Sequence, residues 1–205
     1  MVAHEDVFKG TAIKRSQTPE ELTVALSAFI PANLTAADVI FLCIGTDRST
    51  GDALGPLVGT YLAGLGYNVV GTIDDPTHAM NLAERMAELP ADKTVIAIDA
   101  ALGQVTSVGT YMAINGPLKP GAGVNKDLPY AGTYSISGIV NIGGFMEYFV
   151  LQNTRLSVVM KMARDITSAL VNVFPMHGSA RKVPEEAPVK KKRGRPRKVK
   201  TEVSV

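Results

Sequence analysis

The chain has 205 residues, 46% of them hydrophobic and 20% charged, and a net charge of +2. That length allows one domain with a sizeable core and a tail, and it excludes two full domains of ordinary size. The single cysteine, Cys43, excludes an intrachain disulfide, no Cys/His cluster has zinc spacing, and no apolar run reaches the roughly 18 residues needed to span a bilayer.

The first residues, "MVAHEDVFKGTAIKR", carry charges where a secretion signal has its apolar region, so the expected location is inside the cell. In "TPEE", Thr18 offers an N-cap, Pro19 suits the first helical position and Glu21 completes a capping box, which predicts a helix over 19–30. Residues 1–36 are set apart as an N-terminal segment carrying that helix. Next, "DVIFLCIG" (38–45) is a continuous apolar run, too short for a helix and typical of a strand buried on both faces. Cys43 lies inside it and reads as core rather than as a nucleophile.

"DALGPLVGTYLAGLG" has the helical period, with Leu54, Leu57, Val58, Tyr61, Leu62 and Leu65 on its apolar positions. A strand over 67–73, a helix over 77–89 and a strand over 93–100 follow. Strands alternating with helices imply parallel βαβ units with right-handed crossovers, hence an α/β fold whose sheet is covered on both faces. Further strands are expected over 107–114 and 132–140. Between them "NGPLKPGAGVNKDLPYA" is either a lid or cleft wall, or an ordinary surface connection. Residues 144–174 supply one long helix or two consecutive ones, and the αβα domain is bounded at 37–180.

Charge separates the last segment from the rest. Residues 181–205 hold 10 Lys and Arg against 3 acidic residues, net +7, while residues 1–180 are net −5. With no aromatic residue and three prolines, this tail cannot bury enough surface to offset its chain entropy, and it is expected to be disordered. Within it "KRGRPRK" resembles the AT-hook, a peptide that lies in the minor groove of A/T-rich DNA. Arg193 and Arg195 suit the negative potential of a narrow groove, Gly194 permits close approach and Pro196 keeps the chain extended. The alternative is a polycation that meets any nucleic acid through its phosphates.

In an open parallel sheet, ligands collect beyond the carboxyl ends of the strands. "GTDRSTGDALGP" (45–56), Asp75 and Asp99 all fall at such ends. A nucleotide cradle is disfavoured: Asp52 and Ala53 follow Gly51 where a Walker loop needs Lys-Ser/Thr, the G-x-G-x-x-G fingerprint is absent, and a carboxylate at a helix N-terminus repels phosphate. The loop is built for acid chemistry, a metal or a cap. Asp52 is a helix N-cap or an acid-base group, and Asp99 is a strand-end residue bonded to backbone amides or the partner of Asp52. His78 orients substrate, joins a metal site or simply starts a helix. Asp47, Arg48 and Asp75 are further substrate-binding candidates, with an Arg48–Asp47 pair as the plainer alternative.

The segments "IGTDRSTGDALGP", "DDPTHAMNL", "VIAIDAALG" and "NGPLKPGAGVNKDLP…SGIVN…GFMEYFVLQNTRL" together resemble the YyaC family of sporulation proteins, over about residues 38–169. That family is similar, more remotely, to the germination protease of bacterial spores and to the hydrogenase maturation proteases. The resemblance implies a three-layer αβα sandwich of phosphorylase/hydrolase type with a mostly parallel sheet. In the germination protease, aspartates in "DALGP" and "IDA" are the proposed catalytic pair, which carries those roles onto Asp52 and Asp99. The maturation proteases hold nickel with acidic residues at these two places and a later histidine. Here the only histidine after Ile114 is His177, near the tail, so no metal or other cofactor is expected.

On this resemblance, Asp52 near a helix N-terminus would be the ionised general base, and Asp99 would keep a proton and polarise the peptide carbonyl. The implied protein is a sporulation-associated endopeptidase in the cytoplasm of the mother cell or forespore, or in the spore interior. Its substrate would be a protein such as the small acid-soluble spore proteins, reached on DNA through the tail. The alternative is a noncatalytic protein- or DNA-binding protein that keeps the fold. No membrane partner is expected, and the apolar composition permits a homo-oligomer.

Overall fold

The computed structural model describes residues 12–121 and 128–176. The AT-hook-like residues Arg193, Gly194, Arg195 and Pro196, and also His177, lie outside the described residues. Six strands form one sheet: β1 (Ile13–Ser16), β2 (Val39–Cys43), β3 (Val69–Val70), β4 (Thr94–Gly103), β5 (Tyr111–Ile114) and β6 (Tyr134–Ile142). Their spatial order is β1-β5-β6-β4-β2-β3. The pairs β2–β3, β2–β4 and β4–β6 are parallel, and β1–β5 and β5–β6 are antiparallel. The sheet is mostly parallel, as the alternating pattern requires.

The helices are α1 (Pro19–Phe29), α2 (Leu54–Gly64), α3 (Leu82–Ala87), α4 (Glu147–Gln152) and α5 (Leu156–Val173). α1 begins where its signals stand: Thr18 Oγ1 accepts from the Glu21 N–H at 3.2 Å, and the Glu21 carboxylate accepts from the Gln17 N–H at 2.7 Å. On one face of the sheet α5 buries Val159, Met162, Ile166 and Leu170, at the spacing of one helical stripe, in a core shared with Leu22 and Leu26 of α1 and Leu54, Val58 and Leu62 of α2. The other face is covered by Leu82 of α3, packed with Leu42, Ala97 and Ile114. All five residues of β2 are buried, which is why its sequence shows no polar alternation. Three layers result, α on β on α.

Several elements differ from expectation. The segment 1–36 supplies β1, the antiparallel edge strand, and α1, which shares the main core with α5. β1 escapes the periodic pattern because three of its four residues are exposed. The strand expected over 67–73 shrinks to Val69–Val70, since the Ile73 N–H turns to Thr60 Oγ1 on α2 and the Thr72 N–H to the Asp75 carbonyl. The helix expected over 77–89 is only Leu82–Ala87, because Thr77 bridges Ile44 and a turn closes on the His78 carbonyl. β4 runs on to Gly103 because β6 continues beside it. The stretch 144–174, by contrast, agrees with expectation: of the two arrangements it allowed, it forms two consecutive helices, α4 and α5. Among the described residues no helix is long and apolar enough to cross a membrane.

Candidate active site

β2 stops at Cys43 while its neighbour β4 continues, and the notch this leaves is bordered by the loop 45–53. Gly45 turns the chain out of the sheet with φ +140°, and a Cβ there would stand 2.0 Å from the Asp52 carbonyl oxygen. The Thr46 N–H donates to that same carbonyl at 3.2 Å, so the loop folds back on itself. Gly55 allows α2 to start pressed against the strand end, where an added Cβ would lie 2.1 Å from the Ile44 carbonyl oxygen. The glycines of this stretch serve close backbone packing. Their effect is to hold Asp52 in a short 3-10 turn (Gly51–Ala53) above the end of β2.

The connection β2-α2-β3 covers one face of the sheet and α3, before β4, covers the other, so β2 is the point where the order reverses. A crevice opens at such a point beyond the carboxyl ends of the strands. Here it is a cleft of about 950 Å³ whose wall includes Asp52 and Asp99. Arg48, Ser49 and His78 come from the loops, Ser137 from β6, and Met146, Phe149 and Leu151 from α4 and its start.

Asp99 is 7% exposed and stands opposite Ser137 in the β4–β6 register. Burial, and then the negative charge of Asp52, hold its carboxyl well above the usual carboxylate range. The Ala100 N–H at 2.8 Å and the Gly121 N–H donate to it and pull in the opposite direction, with smaller effect. Asp99 is thus the member of the pair disposed to keep its proton.

Four of the six body residues singled out from sequence, Arg48, Asp52, His78 and Asp99, come together on the wall. Asp47 is exposed, is touched by Thr46 Oγ1 at 3.4 Å and is not part of the wall, and no ion pair joins it to Arg48 among the described residues. Asp75 is turned to an ion pair with Arg85 of α3, away from the cleft. The N-cap of α2 is Ala53, with no side-chain cap, so Asp52 does not occupy the capping position. His78 precedes α3 by four residues; its Nδ1 accepts from the Met80 N–H at 3.2 Å, which leaves Nε2 as the other ring nitrogen. Among the described residues no group of three or more His, Cys, Asp or Glu is disposed to hold a metal ion.

Sequence reasoning missed Ser49, Ser137 and the α4 wall. Ser137 is found only through its register with Asp99. Ser49 is 7% exposed, and its Oγ has no hydrogen-bond partner among the described residues. The α4 wall had a visible signal, the apolar cluster in "GFMEYF", where Phe145, Met146, Tyr148 and Phe149 remain 52–86% exposed.

Fold and site together define an α/β protein with a carboxylate pair in a cleft at the strand-order reversal. The family model "Protein of unknown function (DUF1256)" matches residues 11–169, and the chain belongs to that family. The uncharacterized protein YyaC of Bacillus subtilis (strain 168) is 54% identical over 138 residues, covering 64% of this chain and 67% of that protein. Among solved structures, the [NiFe] hydrogenase maturation protease HybD from Thermococcus kodakarensis is 15% identical, with a TM-score of 0.40 over 64% of this chain and 96% of that one. The maturation protease HycI from Thermococcus kodakarensis KOD1 is also 15% identical, with a TM-score of 0.41 over 66% and 90%. Likeness at that level carries no conclusion about activity.

Proposed function

We propose that the protein is a sporulation-associated endopeptidase of germination-protease type in which Asp52 and Asp99 activate water for peptide hydrolysis. The observation that carries this reading is a buried Asp99, held above the usual carboxylate range beside Asp52 on the wall of one cleft. Two carboxyls whose surroundings separate their proton affinities can act as base and acid at one pH.

In the reaction, water gives a proton to the Asp52 carboxylate as its oxygen bonds to the scissile carbonyl carbon. Protonated Asp99 donates to the carbonyl oxygen. When the tetrahedral intermediate collapses, the C–N bond breaks, the proton on Asp52 passes to the leaving amine and Asp99 recovers its own. Arg48 at the cleft mouth and His78 on its wall contact the substrate chain. The basic tail, through Arg193, Gly194, Arg195 and Pro196, tethers the enzyme to A/T-rich DNA, where small acid-soluble spore proteins are bound.

The test is cleavage of small acid-soluble spore proteins, free and on DNA, with and without chelator. Asp52→Asn and Asp99→Asn should each lower the rate roughly 10²–10⁴-fold with no effect of chelator, and deletion of 181–205 should abolish DNA binding while sparing cleavage of free substrate. Chelator sensitivity would make the aspartates metal ligands. Absence of cleavage throughout would favour a noncatalytic binding protein.

A further inference from the structure

The cleft contains a strand edge that pairs with no other strand among the described residues. β2 and β4 pair as far as Cys43 and Ile98, and the last bond between them runs from the Ile44 N–H to the Ile98 carbonyl at 2.8 Å. β4 then continues five residues to Gly103, paired with β6 alone. Backbone groups alternate sides along a strand. Since Ile98 points its carbonyl toward β2, Ala100 points its own the same way, into the notch that β2 has left. The β4–β6 register shifts between Ala101 and Leu102, but the Gly103 carbonyl accepts from the Gly143 N–H at 2.8 Å on the β6 side, which leaves Leu102, one residue before it, facing the notch as well. The Ala100 N–H is occupied by the carboxylate of Asp99. The Ala100 carbonyl and both backbone groups of Leu102 face a side on which no described strand pairs with them. Ala100 and Leu102 are on the cleft wall.

Apolar side chains flank this edge from both faces of the sheet. Leu118 and Met80 stand on the α3 side, with Met80 87% exposed, and Met146 and Phe149 on the α4 side, 52% and 53% exposed. The charged groups of the wall balance: Arg48 and Lys119 are set against Asp52 and Glu147, with Asp99 disposed to be neutral. Such a wall offers no net sign to attract a strongly acidic or basic ligand. Ser49, buried on the same wall with its Oγ lacking a described partner, provides one more polar group for an incoming chain.

We infer that the cleft binds its substrate as an extended, uncharged, apolar polypeptide segment that adds a strand to the open edge of β4 at Ala100 and Leu102, its side chains seated against Met80 and Phe149. Main-chain bonds to an exposed edge supply affinity in this mode, and pockets for alternate side chains supply selectivity. The inference rests on the peptidase reading for the fate of the bound chain. Its geometry sets the scissile bond beside Asp99, the residue that immediately precedes the open edge.

The experiment measures anisotropy of a labelled decapeptide alternating Leu and Ser, using the full chain as wild type and as the Asp52→Asn/Asp99→Asn double variant. Saturable binding to both is expected. N-methylation of alternate peptide amides should weaken it about tenfold, and Phe149→Ser and Met80→Ser, both surface changes that leave the core intact, should each weaken it about fivefold. Absence of binding, equal binding of a Ser/Glu decapeptide, or indifference to both N-methylation and the two rim substitutions would overturn the inference. Binding as expected, together with no cleavage of small acid-soluble spore proteins by the wild type, would uphold this site and overturn the peptidase reading, so the two failures are distinguishable.

Discussion

Asp99, inside β4, has its carboxyl held well above the usual carboxylate range by its own burial and by the negative charge of Asp52, delivered from the turn that opens α2. Neither residue has that property alone: the strand supplies the burial and the loop supplies the charge.

The first consequence concerns stability. The native state binds the Asp99 proton more tightly than the unfolded chain, where the carboxyl titrates near its ordinary value of 3.8. Its contribution is therefore fully present below that value and is lost as pH rises through the raised native pKa. Urea unfolding of wild type and Asp99→Asn from pH 5 to 9 should show the wild-type midpoint falling relative to the variant as pH rises. Parallel curves for the two proteins would refute the assignment.

Catalysis should follow the same proton. Polarising the scissile carbonyl requires the protonated acid, so kcat/KM should fall as pH rises through the Asp99 pKa. In Asp99→Asn that alkaline limb should vanish together with most of the rate. Asp52→Asn removes the like charge and should shift the acid's titration downward, which NMR of a ¹³C-labelled aspartate can follow even without turnover. An unchanged Asp99 titration in Asp52→Asn would break the proposed coupling.

The loop makes a prediction that needs no activity. Gly55→Ala drives a Cβ to 2.1 Å from the Ile44 carbonyl, backbone against backbone, and should cost about 3 kcal/mol or more. Gly64→Ala, on the same helix, meets nothing within 4 Å and should be neutral or stabilising by up to about 1 kcal/mol. Thermal unfolding of the pair, with equal shifts as the adverse result, checks whether helix α2 is seated on the strand end.

Cys43 supplies a probe of the core. It is fully buried in β2, and burial pushes its thiol far above the ordinary value, so there is neither access nor thiolate for reaction. Iodoacetamide should leave it unmodified in the native protein and alkylate it after denaturation. Rapid native labelling would show that β2 is not the closed central strand described.

Much of this fold was legible because its signals are local. The capping residues of α1 start it at Pro19, the unbroken apolar run of β2 announces a strand covered on both faces, and the alternation of strands and helices dictates parallel crossovers. By the same reasoning Asp52 was visible as a loop residue, and Asp99 as the end of a strand that in the structure continues to Gly103. Other features depend on partners distant in the chain. β1 is a strand because β5 offers an antiparallel edge, and β4 runs past Asp99 because β6 accompanies it. Asp75, equivalent to the others in sequence position, is drawn off by Arg85. By itself the sequence determined the layers and the candidate acids, since periodicity and capping are properties of neighbouring residues. Which acids share a cleft, which one keeps its proton and which strand edge lies open beside them were decided by the tertiary structure, because burial and the fields of other charges exist only after distant segments have packed together.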